Sequence, residues 1–173
     1  MRLPVMLAAI AGLALFCGSA QAARMWMPKA DNPYCDIRTY TLRDVPEQAM
    51  SMLNSNGTPV IVVNTTTLVE KPSYGRFLMA HECCHHSLGH VERYHKEFGH
   101  VGPQPFFFIA PALKQMELEA DCCAVKILKS RNEEGSIASA KAEMASFGDA
   151  PTGAYYPTGT ERAGTIAKCK AED

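Results

Sequence analysis

Six cysteines spread along the chain constrain its fold more than any other feature of the sequence. Seven cysteines are present, and six of them follow residue 30. Two adjacent pairs fall within stretches that favour helices, and adjacent cysteines in a helix point in different directions. We therefore expect disulfides that join different helices, in one of several possible pairings of Cys35, Cys83, Cys84, Cys122, Cys123 and Cys169.

Residues 1–22 predict the compartment in which those cysteines are oxidised. One early cation precedes an apolar run from Leu3 to Phe16, and Ala20-Gln21-Ala22 supplies the small residues of a signal-peptidase site. The apolar run is shorter than the roughly 20 residues that a membrane span requires. We expect a secreted or periplasmic protein that begins near Ala23. Acylation of Cys17 as a lipoprotein is disfavoured, because a bulky phenylalanine precedes it.

Residues 23–173 have the size and charge balance of one domain. About 150 residues can bury a single core but not two. The 17 lysines and arginines nearly balance the 18 aspartates and glutamates, and no basic stripe is interleaved with aromatic residues. Nucleic acid and anionic membrane surfaces are therefore not predicted as partners. We expect no transmembrane segment in the mature chain.

Periodicity predicts an α+β fold that is mainly helical, with a short β-sheet. The β-branched run PVIVV predicts a strand over Thr58–Thr65, and Asp31–Leu42 is also strand-like. Asp44, followed three residues later by Glu47, is typical of a capped helix start. We therefore predict a short helix that begins there and ends near Asn54.

Two long helices are predicted in the middle of the chain. A proline-free stretch over Tyr74–Phe98 carries one apolar face and is expected to fray near Gly89 or Gly99. Pro111 suits the first turn of a second helix, which runs to about Ser130.

Two shorter helices are predicted after these. Ser136 is a candidate cap for a helix that reaches about Phe147. Thr158 and Glu161 form a capping-box pattern at the start of a final helix that reaches Cys169.

The sequence His81-Glu82-Cys83-Cys84-His85 fits an HExxH pattern on the first long helix. Residues four apart on a helix lie nearly above one another, so both imidazoles can bind one ion. Glu82 is rotated about 100° from His81, which places its carboxylate beside the metal as a base rather than as a ligand. The spacing predicts one zinc ion per chain.

The next helix is expected to supply a third ligand. Glu117 and Asp121 share one helix face, so Glu117 can complete a two-histidine, one-carboxylate site while Asp121 accepts a hydrogen bond from an imidazole. Three protein ligands leave a fourth position for water, which is typical of catalytic zinc. Glu119 is a competing carboxylate, but it lies about 200° around the helix from Glu117.

The stretches HECCHHSLGH (81–90) and ELEAD (117–121) resemble those of the gluzincin metallopeptidases. The similarity is greatest to the group that contains the CAAX prenyl endopeptidase and bacterial membrane and periplasmic quality-control proteases. In that group the ExxxD glutamate is the third zinc ligand and the aspartate supports the site. The resemblance, which covers roughly Thr58–Leu128, implies a zincin-like domain with Glu117 as ligand and Asp121 as its support.

The resemblance also implies how a substrate is held. The strand before the metal helix is expected to lie along the cleft and to pair with an extended peptide or protein substrate through Val60, Ile61, Val62, Val63 and Asn64. Many relatives carry a His-Pro pair before a C-terminal arginine, whereas Tyr156-Pro157 and then Arg162 stand there in this chain. We predict that the hydroxyl of Tyr156, or of Tyr155, donates to the oxyanion of the tetrahedral intermediate.

Several residues have a competing interpretation. A metzincin site requires a glycine and a histidine where Leu88 and Val91 stand. The apolar Phe106–Ile109 is assigned to the core in preference to a substrate-binding lip. Thiolates bind zinc well, so the four paired cysteines are alternative ligands: Cys83, Cys84, Cys122 and Cys123. Four histidines are interpreted as surface residues: His86, His90, His95 and His100.

Together these patterns predict a zinc metalloendopeptidase that acts without a covalent acyl-enzyme. Glu82 is expected to accept a proton from the zinc-activated water and to return it to the leaving amine. Two alternatives stay open. One is a metal-bearing domain that binds extended peptides without cutting them, and the other is a cell-wall peptide hydrolase that shares every residue named here.

Overall fold

A small mixed sheet and a group of packed helices make up the fold. The structure is a computed structural model that describes residues 27–45, 47–99, 106–153 and 155–169. The predicted signal peptide, Cys17 and His100 lie outside the described residues. The elements in chain order are β1 (Lys29–Ala30), β2 (Arg38–Leu42), β3 (Ala49–Leu53), β4 (Pro59–Asn64), α1 (Thr65–Glu70), α2 (Pro72–Ser87), α3 (His90–Phe98), α4 (Phe106–Ser130), α5 (Glu134–Ser146) and α6 (Gly159–Lys168).

Strand β4 lies inside the sheet, whose order is β1-β2-β4-β3. It pairs in parallel with β2 and antiparallel with β3. Its residues Val60–Val63 are buried, since β-branched side chains pack well on a sheet that is covered. The predicted strand is thus confirmed over Pro59–Asn64. The strand-like segment Asp31–Leu42 is confirmed in its last five residues, which form β2.

The predicted helix between Asp44 and Asn54 is wrong, because Ala49–Leu53 forms strand β3. Its residues pair with β4 along their whole length, from Ala49 opposite Val63 to Leu53 opposite Pro59. The turn between the strands contains Asn56-Gly57, where Gly57 has a φ of 72°. Asn-Gly between two apolar runs is a strong hairpin signal, and tertiary pairing overrides the weak helical propensity of such a short segment.

The predicted helix over Tyr74–Phe98 is divided into α2 and α3 at Gly89. Gly89 has a φ of 70°, a left-handed conformation that glycine adopts without steric cost. The amide of Leu88 still donates to the Cys84 carbonyl, so α2 ends in a normal final turn. The change of direction at Gly89 lets α3 begin with His90, whose side chain is buried.

The starts of α4 and α5 differ from the predicted ones. Pro111 lies inside α4 rather than in its first turn, because the apolar residues before it already continue the helix. The missing proline N–H removes one helical hydrogen bond, but the turns on either side persist. Ser136 is buried within α5 and does not cap it; the cap residue is Glu133.

The start of α6 is as predicted. Thr158 Oγ1 accepts a hydrogen bond from the Glu161 amide at 3.1 Å, and the Glu161 carboxylate accepts one from the Thr158 amide at 2.7 Å. Each group satisfies an amide that has no partner within the helix. The result fixes the entry of α6, which carries the buried Arg162.

The main core lies between α2, α4, α5 and α6, around Phe77, Leu128 and Ile166. A smaller cluster joins β4 to the opposite face of α2 through Ile61, Val63 and Met79. Helix α2 is therefore the shared element between the sheet and the helical layer. The expected α+β class, mainly helical with a short sheet beside α2, is confirmed. None of the described helices combines the length and the apolar character that a membrane crossing requires.

Three disulfides connect the described elements in series. Cys35 pairs with Cys83, Cys84 with Cys123, and Cys122 with Cys169. The chain of links runs from the segment before β2 to α2, from α2 to α4, and from α4 to the end of α6. The predictions that adjacent cysteines do not pair and that a bridge joins α2 to α4 are confirmed. The expectation that the disulfides join helices is wrong for Cys35, which lies in a non-helical segment before β2. With all six sulfurs bonded, the alternative of thiolate zinc ligands does not hold in this structure.

Candidate metal centre

Three side chains from two helices converge on one point. The Nε2 atoms of His81 and His85 are 3.0 Å apart. Glu117 Oε2 lies 3.3 Å from the His81 Nε2 atom, and Glu117 Oε1 lies 3.3 Å from the His85 Nε2 atom. His81, His85 and Glu117 are the group that could hold a metal ion among the described residues.

The spacing of these atoms suits a small divalent ion. Ligand bonds of about 2.0–2.1 Å at tetrahedral angles place neighbouring ligand atoms about 3.4 Å apart. The three observed separations are close to that value. Two imidazoles and a carboxylate suit zinc and several other first-row metals, so the geometry supports a metal ion without selecting one.

The two ligand helices are held at this spacing by local structure and by a covalent link. The four-residue interval puts His81 and His85 on one face of α2. Glu117 projects from α4, and the Cys84–Cys123 disulfide joins the two helices beside the site. The competing carboxylate, Glu119, does not join the group, because its side chain is 43% exposed and pairs with His90 instead.

Asp121 connects the site to α6. Its Oδ1 atom lies 3.0 Å from His81 Nδ1, on the side of the ring away from Glu117, although the ring N–H is not well aligned with it. Arg162 donates to both Asp121 oxygens, at 2.8 and 2.6 Å. The guanidinium also lies 3.5 Å from Glu117 Oε2. Asp121 thus lies beside an imidazole, as predicted from the sequence, whereas no role in the site was predicted for Arg162.

These contacts determine the charges of the buried groups. Burial lowers the pKa of His81, but the carboxylates of Asp121 and Glu117 outweigh burial and raise this pKa to about 10. Burial raises the pKa of Glu117, but the two imidazoles hold it well below its usual range. Burial also raises the pKa of Asp121, but Arg162 and His81 outweigh burial and lower this pKa below its usual value. Without a metal, His81 therefore supplies a positive charge between two carboxylates.

Glu82 is buried next to this group. It lines a cavity of about 70 Å³ together with His81, Glu117 and Tyr156. The hydroxyl oxygen of Ser51, on β3, lies 2.6 Å from Glu82 Oε2 and 2.8 Å from the backbone carbonyl oxygen of Glu82. Glu82 thus stands beside the candidate ligands and is not one of them, which is the position that the HExxH spacing predicts.

The prediction that the strand before the metal helix pairs with the substrate is wrong. Val60, Ile61, Val62, Val63 and Asn64 form β4, whose backbone is already paired on both sides. Strand β3 is at the edge of the described sheet and lies beside the site. A strand with a free edge can accept an extended peptide. The segment Ala49–Leu53, which was predicted to be helical, forms β3 and lies between β4 and the cleft.

A larger cleft of about 510 Å³ extends along β3 from Glu82 and His85. Its apolar lining includes Met50, Met52, Val91, Leu113 and Met116. Ile109 is buried in agreement with the core assignment of its segment, while the side chains of residues 106–108 lie outside the described residues.

Tyr156 reaches both cavities, and Tyr155 lines the larger one. Tyr156 is partly buried, and burial followed by the negative charge of Glu117 raises the pKa of its hydroxyl. The phenol therefore keeps its proton at neutral pH and can act as a hydrogen-bond donor. Tyr155 is 37% exposed. The predicted role of Tyr156 as a donor to the oxyanion stays a prediction, and Tyr156 lies where that role requires it, in the lining of the cavity that contains Glu82.

One histidine assigned to the surface is buried. His90 is 3% exposed, and its Nδ1 atom lies 3.2 Å from His85 Nδ1. Its Nε2 atom lies 3.1 Å from Glu119 Oε2. Burial and the neighbouring His85 lower the pKa of His90. The signal in the sequence is Gly89, because a glycine at this place allows the chain to turn and to begin α3 with His90.

The other histidines follow the expectation more closely. His95 is exposed. His86 is partly buried, and its Nε2 atom lies 3.2 Å from the Val60 carbonyl oxygen. Neither belongs to the candidate ligand group.

Comparison of the chain with models of protein families, with curated proteins and with solved structures finds no match. The fold and the site define a small α+β domain with a candidate metal centre formed by His81, His85 and Glu117.

Proposed function

We propose that this protein is an exported zinc-dependent endopeptidase of the gluzincin type. The observation that carries the proposal is the convergence of His81, His85 and Glu117, with the Glu82 carboxylate beside them in the same cavity. A closed structural site does not require an additional buried carboxylate that is not a ligand. A hydrolytic site requires one as its base.

His81, His85 and Glu117 would hold the ion, and the remaining residues would handle protons and substrate. A zinc ion held there supplies a Lewis acid for the attacking water and the scissile carbonyl. Glu82 accepts the proton of the attacking water and returns it to the leaving amine. The Ser51 hydroxyl orients the Glu82 carboxylate through the 2.6 Å contact.

Substrate binding is assigned to the edge strand and the cleft. An extended peptide adds to the free edge of β3, which fixes its backbone next to Glu82. The Tyr156 hydroxyl donates a hydrogen bond to the oxyanion that forms at the scissile carbonyl. The methionine-rich cleft favours apolar substrate side chains.

The proposed compartment and family rest on separate observations. Three disulfides in a single domain support folding in an oxidising compartment, in agreement with the signal-peptide pattern of residues 1–22. The gluzincin assignment is supported by the ELEAD stretch, whose Glu117 lies in the ligand group and whose Asp121 lies beside His81.

A digest of casein by the zinc-loaded protein tests the proposal, with Glu82→Gln as the key variant. We expect chelator-sensitive cleavage by the wild type. Glu82→Gln should retain zinc and lose cleavage by at least about 100-fold, since the base is lost and the ligands are not. Unchanged cleavage by Glu82→Gln would reject the assignment.

Two results would select an alternative function. Zinc binding without cleavage of any protein substrate favours a domain that binds extended peptides and does not cut them. Cleavage of peptidoglycan fragments but not of casein favours a cell-wall peptide hydrolase. Both assays use the same zinc-loaded preparation.

A further inference from the structure

A line of polar contacts leads away from the candidate metal centre through a buried histidine. It runs from His85 to His90, on α3, and from there to Glu119, on α4, with distances of 3.2 and 3.1 Å. Gln115 Nε2 donates to the other Glu119 oxygen at 2.9 Å. The side chain of His90 is 4% exposed, whereas that of Glu119 is 43% exposed, so the line ends near solvent.

If His85 binds a metal through Nε2, the positions of the ring hydrogens allow one arrangement of neutral imidazoles along this line. The Nε2 atoms of His81 and His85 lie 3.0 Å apart, and an ion held between them requires a lone pair from each. If His85 offers its Nε2 lone pair to the centre, its hydrogen resides on Nδ1, which faces His90 Nδ1. His90 must then accept at Nδ1 and carry its own hydrogen on Nε2, where the Glu119 carboxylate accepts it.

We propose that His90 and Glu119 position His85 and fix its tautomer, so that the Nε2 lone pair of His85 is directed at the metal. This inference rests on the proposed metal site. A hydrogen bond to the distal N–H of a ligating histidine sets the ring orientation and increases its basicity as a ligand. Asp121 lies 3.0 Å from the corresponding nitrogen of His81, so a different polar group stands next to each imidazole.

Asp121 and His90, which lie beside the two imidazoles, are held in place by different parts of the fold. Asp121 is held by Arg162 of α6, whereas His90 is held at the start of α3 by the turn at Gly89. An apolar residue at position 90 could fill the same space, but it would leave the His85 Nδ1–H without an acceptor. A buried donor without a partner costs free energy, and the ring can avoid the cost by changing tautomer or rotating.

Zinc affinity of matched variants tests the proposal. His90→Leu removes the acceptor, and His90→Asn keeps an amide oxygen near the position of Nδ1. We expect His90→Leu to weaken zinc binding by about 10- to 100-fold, and His90→Asn to recover most of the loss. His95→Leu, which replaces an exposed histidine on the same helix, should bind zinc as the wild type does.

A second measurement is made first on the metal-free wild type, so its main result requires neither bound metal nor a stable variant. Long-range nitrogen–proton NMR spectra of the metal-free wild type report which ring nitrogen of each histidine carries hydrogen. We expect hydrogen on Nδ1 of His85 and on Nε2 of His90. In Glu119→Gln the preference for the Nε2 tautomer of His90 should weaken.

Three results overturn the proposal: wild-type zinc affinity in His90→Leu, equal losses in His90→Leu and folded His90→Asn, or hydrogen on Nε2 of His85. If the wild type binds no zinc, the proposed metal function fails. The NMR result then still decides whether His90 controls the tautomer of His85, so the two failures are distinguishable.

Discussion

Arg162 and Asp121 form a bidentate ion pair in the interior of the domain, with N–O distances of 2.8 and 2.6 Å. Both residues are nearly inaccessible to solvent, and Asp121 also lies beside His81. The pair therefore joins the packing of α6 to the orientation of a candidate metal ligand.

Arg162→Leu should lower the free energy of unfolding by about 3–5 kcal/mol, because it leaves the Asp121 carboxylate buried without its cation. Urea unfolding of the metal-free protein measures the change. Arg93→Gln is the control, since Arg93 is exposed and its 3.9 Å contact with Glu97 should contribute less than about 1 kcal/mol. A loss below 1 kcal/mol in Arg162→Leu would show that the pair is not a principal stabilising contact.

Zinc binding should strengthen as pH rises. In the metal-free protein the pKa of His81 is raised to about 10, so the folded state holds a proton that zinc must displace. That proton stabilises the metal-free fold fully below about pH 6.5, and the contribution is lost as pH rises towards 10. We expect roughly tenfold tighter binding per pH unit between pH 7 and 9.

Calorimetry in buffers of different ionisation enthalpy measures the number of protons released. At least one proton per zinc at pH 7.5 is the expected result. A zinc affinity that does not change between pH 7 and 9 would contradict the charge assigned to His81.

Removal of the Cys84–Cys123 disulfide by paired alanine substitutions should weaken zinc binding, because this bond joins the two helices that carry the ligands. Stability should fall by about 2–4 kcal/mol as well. The matched control is removal of Cys35–Cys83, which closes a loop of similar length, 48 against 39 residues, without joining ligand helices. Chelator competition and urea unfolding separate the two effects.

The control should lose comparable stability and keep its zinc affinity. Equal zinc affinities in both paired variants would mean that packing alone sets the ligand spacing.

Tyr156→Phe should reduce kcat by about 100-fold with little change in KM, since the proposed hydrogen bond forms only to the oxyanion. Tyr155→Phe is the matched control and should retain most activity, because Tyr155 lines only the larger cleft. Steady-state kinetics on one fluorogenic peptide measures both variants. Full turnover by both phenylalanine variants would remove the tyrosines from the mechanism.

The parts of the site that the sequence predicts are those controlled by local geometry. The four-residue interval of His81 and His85 fixes their common face once α2 forms, and the same argument applies to Glu117 and Asp121 on α4. The capping box at Thr158 is equally local. Each needs only the helix itself, so each can be recognised without knowledge of the packing.

The parts that escaped prediction depend on contacts between distant segments. Strand β3 forms because β4 offers it a pairing edge, and the burial of His90 depends on the turn at Gly89 and on Glu119 from another helix. Arg162 acquires its role through a partner 41 residues earlier. Helical periodicity contains no information on these pairings.

Zinc stoichiometry of purified wild type and of Glu117→Ala tests the central claim most directly, with Glu97→Ala, an exposed glutamate, as control. We predict one zinc per chain in the wild type and in Glu97→Ala, and a large loss of bound zinc in Glu117→Ala. A wild type without zinc, or a folded Glu117→Ala that binds zinc as tightly as the wild type, would contradict a centre built from two imidazoles and this carboxylate.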